Sequence, residues 1–277
     1  GQGDSALVTM PDGTTLLVDG GGQPRFGARA TEASEGDGGE PFERDARGVG
    51  EAVVSEYLWR RGLDRVNYVV ATHADADHID GLADVLRNFR TDAALVARAP
   101  AADEEFERFA ATAAEKGTPL YLVGRGDTLR FGGATVEVLW PPRAADTAAA
   151  ARRPSRNEDS LVLRLSLGSR AFILTGDIEA DAESRLVSSS ASRLRCDALK
   201  VAHHGSRTSS TQRFADAARP SIAVISVGLD SPYGHPRPEV VERWRAHGAR
   251  VLTTGERGTI TVSTDGADLK VETFLKP

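Results

Sequence analysis

Short apolar runs closed by glycine, proline or clustered polar residues recur along the chain and alternate with stretches of helical spacing. Residues 6–10 and 15–19 read as a hairpin turning at Pro11, Asp12 and Gly13. Helical spacing over 49–61 and 79–89 brackets a buried strand at 66–71. Residues 94–96, 103–116 and 120–122 then repeat strand, helix and strand. Two further hairpins follow, 128–131 with 135–139 and 160–167 with 170–174, the second turning at Gly168. Strands at 198–202 and 222–227, a helix at 239–248 and two closing strands at 258–263 and 269–274 complete the pattern. Residues 20–50 are rich in Gly, Glu and Arg and read as a mobile loop beside the strand ending at Asp19; residues 143–156 read as an Ala- and Arg-rich linker. The expectation is one α/β domain over 1–277, with helices outside and apolar strands inside.

The polar residues that close the strands carry the chemistry. His73, Asp75, Asp77 and His78 crowd into six residues directly after the strand 66–71. Imidazole and carboxylate at alternate positions of an extended turn can converge on one point, and both are metal donors. A solvated polar turn is the plain alternative. The chain has only 6 histidines, however, and five of them fall in loops after strands: His73, His78, His203, His204 and His235. His247 lies in a helical run and reads as a surface residue. Asp177 ends the strand 170–174 after Gly176. It is the candidate bridging ligand, although helix capping near Ile178 would also explain it.

The order of motifs resembles the metallo-β-lactamase fold superfamily, and within it the branch found as the soluble domain of ComEC-type DNA-uptake channel proteins. The residues that carry this are Gly1-Gln2-Gly3-Asp4-Ser5, Leu17-Val18-Asp19-Gly20-Gly21 and the run from His73 to His78. They continue with Asn157 to Leu163, Leu174 to Asp177, Lys200-Val201-Ala202-His203-His204-Gly205-Ser206 and Tyr233-Gly234-His235-Pro236. They span nearly the whole chain. Asp75 stands where most relatives have histidine, and this form is typical of the branch. Asp80 stands where many relatives have glycine. The third-motif histidine is absent, with Asn157 or Ser160 in its region. The resemblance implies an αββα sandwich of two mixed sheets covered by helices. Gly1 opens inside a motif that follows a first strand in the family, which implies a piece of a longer membrane protein.

The ligands then divide into two half-shells. His73, Asp75 and Asp177 are expected at one metal. Asp77, His78, Asp177 and one of the paired histidines are expected at the other, His203 being favoured over His204. Two cations about 4 Å apart can clamp the attacking and leaving oxygens of a phosphoester. The oxygen-rich set favours manganese, with zinc as the alternative. His204 and His235 are the candidate proton donors. Asp19 resembles the family's first-motif acid and is expected to orient a ligand histidine. Asn157, Ser160, Ser206, Arg207 and Tyr233 are expected around the substrate.

Charge and cysteine content narrow the reading only slightly. A formal net charge of -6 argues against a global basic field for nucleic acid but allows local strips, with Arg152, Arg153, Arg156, Arg207 and Arg213 as candidates. The lone Cys196 excludes an intrachain disulfide. The expected activity is a metal-dependent phosphodiesterase, chiefly a nuclease on the non-transported DNA strand. Its partners would be DNA, single-stranded above all, and the membrane channel portion of the same polypeptide, on the extracytoplasmic side; no nucleotide cofactor is expected. The competing readings are hydrolysis of another phosphoester, such as a phosphocholine ester, and a non-catalytic DNA-binding domain. Lactam hydrolysis is disfavoured by the missing histidine.

Overall fold

The structure, a computed structural model, describes residues 3–22, 48–100, 102–143 and 157–276. Most of the expected loop over 20–50 and nearly all of the linker over 143–156, including Arg152, Arg153 and Arg156, lie outside the described residues.

The chain starts with the expected hairpin, β1 (Ala6–Thr9) and β2 (Thr15–Val18). The helix expected over 49–61 is split into a π-helical turn, Gly50–Ser55, and α1 (Glu56–Arg60). Then come β3 (Tyr68–Ala71), α2 (Ala76–Asn88), β4 (Ala93–Val96), α3 (Glu104–Glu115) and β5 (Leu120–Leu122). The five strands form one sheet in chain order, parallel from β2 to β5. The second half gives β6 (Thr128–Phe131), β7 (Ala134–Trp140), β8 (Val162–Leu167), β9 (Arg170–Leu174) and α4 (Ala180–Leu194). After these come β10 (Ala198–Lys200), α5 (Gln212–Ala218), β11 (Ile222–Ile225), α6 (Pro238–Ala246) and β12 (Arg250–Thr253). These strands make a seven-stranded sheet in the order β12-β11-β10-β9-β8-β7-β6, parallel from β9 to β12. A short helix α7 (Thr254–Arg257) leads to β13 (Ile260–Thr264) and β14 (Leu269–Thr273), which form their own two-stranded sheet.

Alternation along the strands sorts the core into layers. Val69 and Ala71 of β3 pack outward against Leu82, Val85 and Leu86 of α2, whereas Val70 points inward with Leu16, Val138 and Leu163. In the second sheet Ala171 and Ile173 face Leu186, Phe214 and Trp244 of the outer helices. The opposite face of β9 to β12 is covered by Ile260, Val262, Leu269 and Val271 of the closing hairpin. The result is the expected αββα sandwich. Because the inner strands of both sheets are parallel, their carboxyl ends gather the histidine- and aspartate-bearing loops at one edge.

Candidate metal centre

The site is assembled from five separate turns whose backbones are laced together. Asp4 N–H donates to Asp77 O (3.1 Å), Gly20 N–H to His78 O (2.7 Å) and Gly21 N–H to Asp4 O (2.7 Å). A Cβ on Gly81 would collide with the Gly20 carbonyl, so glycine lets α2 lie directly on the turn after β2. Gly176 lies in the left-handed region (φ 51°), and a Cβ there would sit 2.7 Å from Ser160 Cβ. That turn delivers Asp177, whose N–H donates to Ser160 Oγ (3.0 Å). Asp177 does not cap a helix as the capping alternative supposed: α4 starts at Ala180, with Glu179 in the cap position.

Three histidine rings converge. The centroids of His73 and His78 are 4.2 Å apart, and those of His78 and His204 5.5 Å. Their hydrogen bonds set the tautomers. His78 Nδ1 meets Asp19 Oδ2 at 2.8 Å, and His204 Nδ1 meets the Ser226 carbonyl, an obligate acceptor, at 2.8 Å. The Thr72 hydroxyl donates to Asp19 Oδ2 (2.9 Å), which leaves its oxygen to accept from His73 Nδ1 at 3.0 Å. Each Nδ1 therefore carries a proton, which leaves Nε2 as the ring atom able to give a lone pair to a cation in exchange for its own proton. The Nε2 atoms of His73, His78 and His204 are all buried without a hydrogen-bond partner. Carboxylates surround them. Asp177 Oδ2 lies 3.3 Å from His78 Nε2 and 3.5 Å from His204 Nε2, Asp77 Oδ2 lies 3.3 Å from His204 Nε2, and Asp75 Oδ2 lies 3.7 Å from His73 Nε2. A buried, unpaired polar atom costs about 1–3 kcal/mol. Three such nitrogens among carboxylates are a donor set that fits divalent metal.

The order expected within the histidine pair is reversed. His203 and His204 both have left-handed backbone, φ 50°, and the tight turn sends the rings apart. His204 is buried in the cluster, whereas His203 Nδ1 turns to Glu179 Oε1 at 3.0 Å, Thr208 Oγ1 at 3.2 Å and Asn157 Nδ2 at 3.4 Å. Two residues expected at the substrate lie inside the protein instead. Ser160 is fully buried beneath His73 and Asp177, and Ser206 is buried and bonded to Thr208 Oγ1 (3.0 Å). Asn157, Arg207 and Tyr233 remain at the rim. Arg207 lines an open groove of about 570 Å³ with Glu158, Glu179, Thr208, Gln212 and Arg243. Tyr233 stacks on His235, with centroids 6.1 Å apart. His247, read as a surface residue, is only 10% exposed in its side chain and pairs with Asp216 (3.0 Å).

Two residues behind the histidine rings, Asp4 and Lys200, were missed, although the quoted motifs contain both. Asp4 is buried and paired with the Lys200 ammonium, which also meets Asp177 Oδ1 at 3.2 Å. Asp4 lies on the Nδ1 side of both His78 (3.9 Å) and His204 (3.6 Å), away from the unpaired nitrogens.

Charges inside the cluster move its acidities. Burial opposes ionisation of Asp77, but the nearby imidazoles of His204 and His78 lower it to about 2. Burial likewise opposes ionisation of Asp177, yet His78 and Lys200 hold it well below the usual carboxylate range. Burial disfavours protonated His204, but Asp4 and Asp177 raise it to about 9. His235 is lowered to about 4 by burial and by the charges of His203 and His204. It is neutral near pH 7 in the metal-free protein. In metal-free protein, the stability contributed by protonated His204 is fully present below pH 6.5 and lost as pH rises through about 9. Thermal melts in chelator are therefore expected to show a Tm that falls across this window. Saturating Mn2+ should raise Tm most at the high end, because cation and proton compete for the ring. A flat chelator profile would contradict this arrangement of charges.

Comparison with known proteins agrees with the architecture. The model of the Metallo-beta-lactamase superfamily matches residues 1–228. ComE operon protein 3 of Bacillus subtilis (strain 168) is 31% identical over 94% of this chain and 31% of its own length. Recombination protein 2 of Haemophilus influenzae is 24% identical over 95% of this chain and 28% of its own. Competence protein ComA of Neisseria gonorrhoeae is 39% identical over 38% of this chain and 15% of its own. The chain thus spans less than a third of these relatives. Among solved structures, the metallo-beta-lactamase fold protein YhfI from Bacillus subtilis superposes with a TM-score of 0.51 at 14% identity, covering 91% of this chain and 88% of that one. CmlA, a diiron beta-hydroxylase from Streptomyces venezuelae, gives 0.50 at 13% identity, covering 91% and 52%. At such identities these two likenesses speak for the fold alone. With a family match over most of the chain and histidines and aspartates gathered at the sandwich edge, this chain belongs to the metallo-beta-lactamase superfamily.

Proposed function

We propose that the chain is a metal-dependent phosphodiesterase, a nuclease that degrades the non-transported DNA strand as the extracytoplasmic domain of a DNA-uptake membrane protein. The observation that carries the hydrolase reading is the trio of buried, unpaired imidazole nitrogens facing Asp75, Asp77 and Asp177. The DNA reading draws on the names of relatives: ComE operon protein 3 and recombination protein 2, which align over most of the chain, and competence protein ComA, which aligns over 38% of it. Among the described residues no helix is long and apolar enough to cross a membrane. The channel portion of the proposal is assigned to the length of the relatives that this chain does not span.

His73 and Asp75 would hold one cation and Asp77, His78 and His204 the other, with Asp177 available to both. When bound, two divalent ions, Mn2+ in preference to Zn2+, polarise a phosphoryl oxygen and acidify water. The protein's residues do the rest. Asp19 locks the His78 tautomer through the 2.8 Å bond at Nδ1. His204 belongs to the metal pocket, so the proton for the leaving alkoxide falls to His203, half-exposed at the rim and paired with Glu179. Arg207 contacts phosphate along the groove, and Tyr233 offers a stacking face to a base.

The test is cleavage of labelled single- and double-stranded DNA with Mn2+, Zn2+ or chelator. Metal-dependent cutting, stronger on single strands, is the expected result. Hydrolysis of a simple phosphodiester without DNA cleavage would move the substrate to another phosphoester. No hydrolysis of either substrate would refute the catalytic reading.

A further inference from the structure

Lys200 is the last residue of β10, between β9 and β11 in the seven-stranded sheet. Its side chain is 13% exposed, and its ammonium points into the cluster of acids. The ammonium donates to Gly176 O at 2.9 Å and to Asp177 Oδ1 at 3.2 Å, and its charge is paired with the buried Asp4 carboxylate. The consequence falls on Asp177, whose two oxygens are divided. Oδ1 faces the lysine, and only Oδ2 faces the Nε2 atoms of His78 and His204.

Asp4, His78, Asp177 and His204 could be taken for a four-ligand cation site, since their donor atoms lie within 4.8 Å of one another. The ring atoms argue otherwise. Asp4 approaches Nδ1 of both histidines, and those nitrogens are already committed to Asp19 and to the Ser226 carbonyl. The cation this side of the cluster holds is the lysine ammonium itself. A compact, fixed charge with directed N–H groups is suited to that place.

We infer that Lys200 is a resident cation of the metal centre and a positioning residue: it holds Asp177 Oδ1 so that Asp177 presents one oxygen to metal, and it keeps Asp4 out of the ligand set. This rests on the metal-binding reading above, not on DNA as the substrate. Its consequence is that Asp177 offers a single oxygen, Oδ2, to the side of the cluster where His78 and His204 meet.

The test is metal binding to the whole chain, read as Mn2+ affinity by calorimetry and as the visible spectrum of the Co2+-loaded protein. Removing Lys200 alone would strand the Asp4 carboxylate in the interior, so the informative variant is Asp4→Asn with Lys200→Met, which removes both charges. Near-ultraviolet circular dichroism confirms its fold. The double variant is expected to weaken Mn2+ binding about tenfold or more, in the range seen when groups behind metal ligands are removed. Its Co2+ bands should lose intensity as the freed Asp177 oxygen raises the coordination number. Asp4→Asn alone should leave both readings close to the parent. Parent-like affinity and spectrum in the double variant, or an equal loss in Asp4→Asn alone, would overturn the inference. If the parent chain binds no metal, the metal reading fails and this inference falls with it. If the parent binds metal but cuts no DNA, only the substrate is in question and the affinity comparison still decides.

Discussion

Alanine at Asp77 is expected to reduce metal-dependent phosphodiester cleavage on the order of a thousandfold while leaving the chain folded. Asp77 sits in the first turn of α2, with Oδ2 at 3.3 Å from His204 Nε2 and an acidity lowered, against burial, by His204 and His78. Deleting that carboxylate removes a donor from one cation and leaves the His78–His204 side of the pocket under-liganded. A catalytic metal contributes several kcal/mol of charge stabilisation, and each 1.36 kcal/mol is worth tenfold in rate, so losing most of it costs on the order of a thousandfold. The fold should survive because alanine is the better helix former and because the Asp77 carbonyl still accepts from Asp4 N–H. Steady-state kinetics beside a thermal melt check both halves. Undiminished cleavage by a pure preparation would remove Asp77 from the metal centre, and a large loss of Tm would mean that its role is structural.

The second large effect is expected at Asp19, which never touches the pocket. Its carboxylate accepts three buried bonds: from Thr72 N–H (2.8 Å), the Thr72 hydroxyl (2.9 Å) and His78 Nδ1 (2.8 Å). Asp19→Ala leaves all three donors without a partner, at about 1–3 kcal/mol each, so a destabilisation of about 3 kcal/mol or more is expected in urea unfolding. Asp19→Asn separates orientation from stability. An amide has one acceptor oxygen, so with that oxygen on Thr72 N–H its NH2 faces His78 Nδ1. The ring is then driven to the other tautomer and points a proton at the metal. The asparagine variant is therefore expected to bind Mn2+ about ten to a hundredfold more weakly with a smaller loss of stability. Parent-like affinity would mean that His78 is held by packing and not by Asp19.

Strand and helix periodicity made the layered fold legible. Val69, Val70 and Ala71 alternate between the helix-covered face and the interior between the sheets, and this alternation is written directly in the residue pattern. The His73–His78 run, Asp177, Asp19 and the histidine pair were legible as a centre because each closes an apolar strand. What could not be read was direction. Adjacent histidines in a turn with left-handed backbone at both residues send their rings to opposite sides, and nothing local says which one enters the pocket. Ser160 and Ser206 were expected around the substrate because they lie in the motifs, yet both are buried, where they tie His73 to Asp177 and His203's loop to Thr208.

The sequence by itself determined the elements, the family and which short motifs carry metal donors, because backbone periodicity and ligand type are local properties. Only the tertiary structure decided that His204 and not His203 faces the unpaired nitrogens, that Asp4 lies behind the rings, and that Lys200 claims one oxygen of Asp177. Those outcomes depend on contacts between residues as far apart as Asp4 and Lys200, brought to one edge by two sheets packed face to face. Which atom of a side chain points where is fixed by that packing and by the need to pair every buried charge.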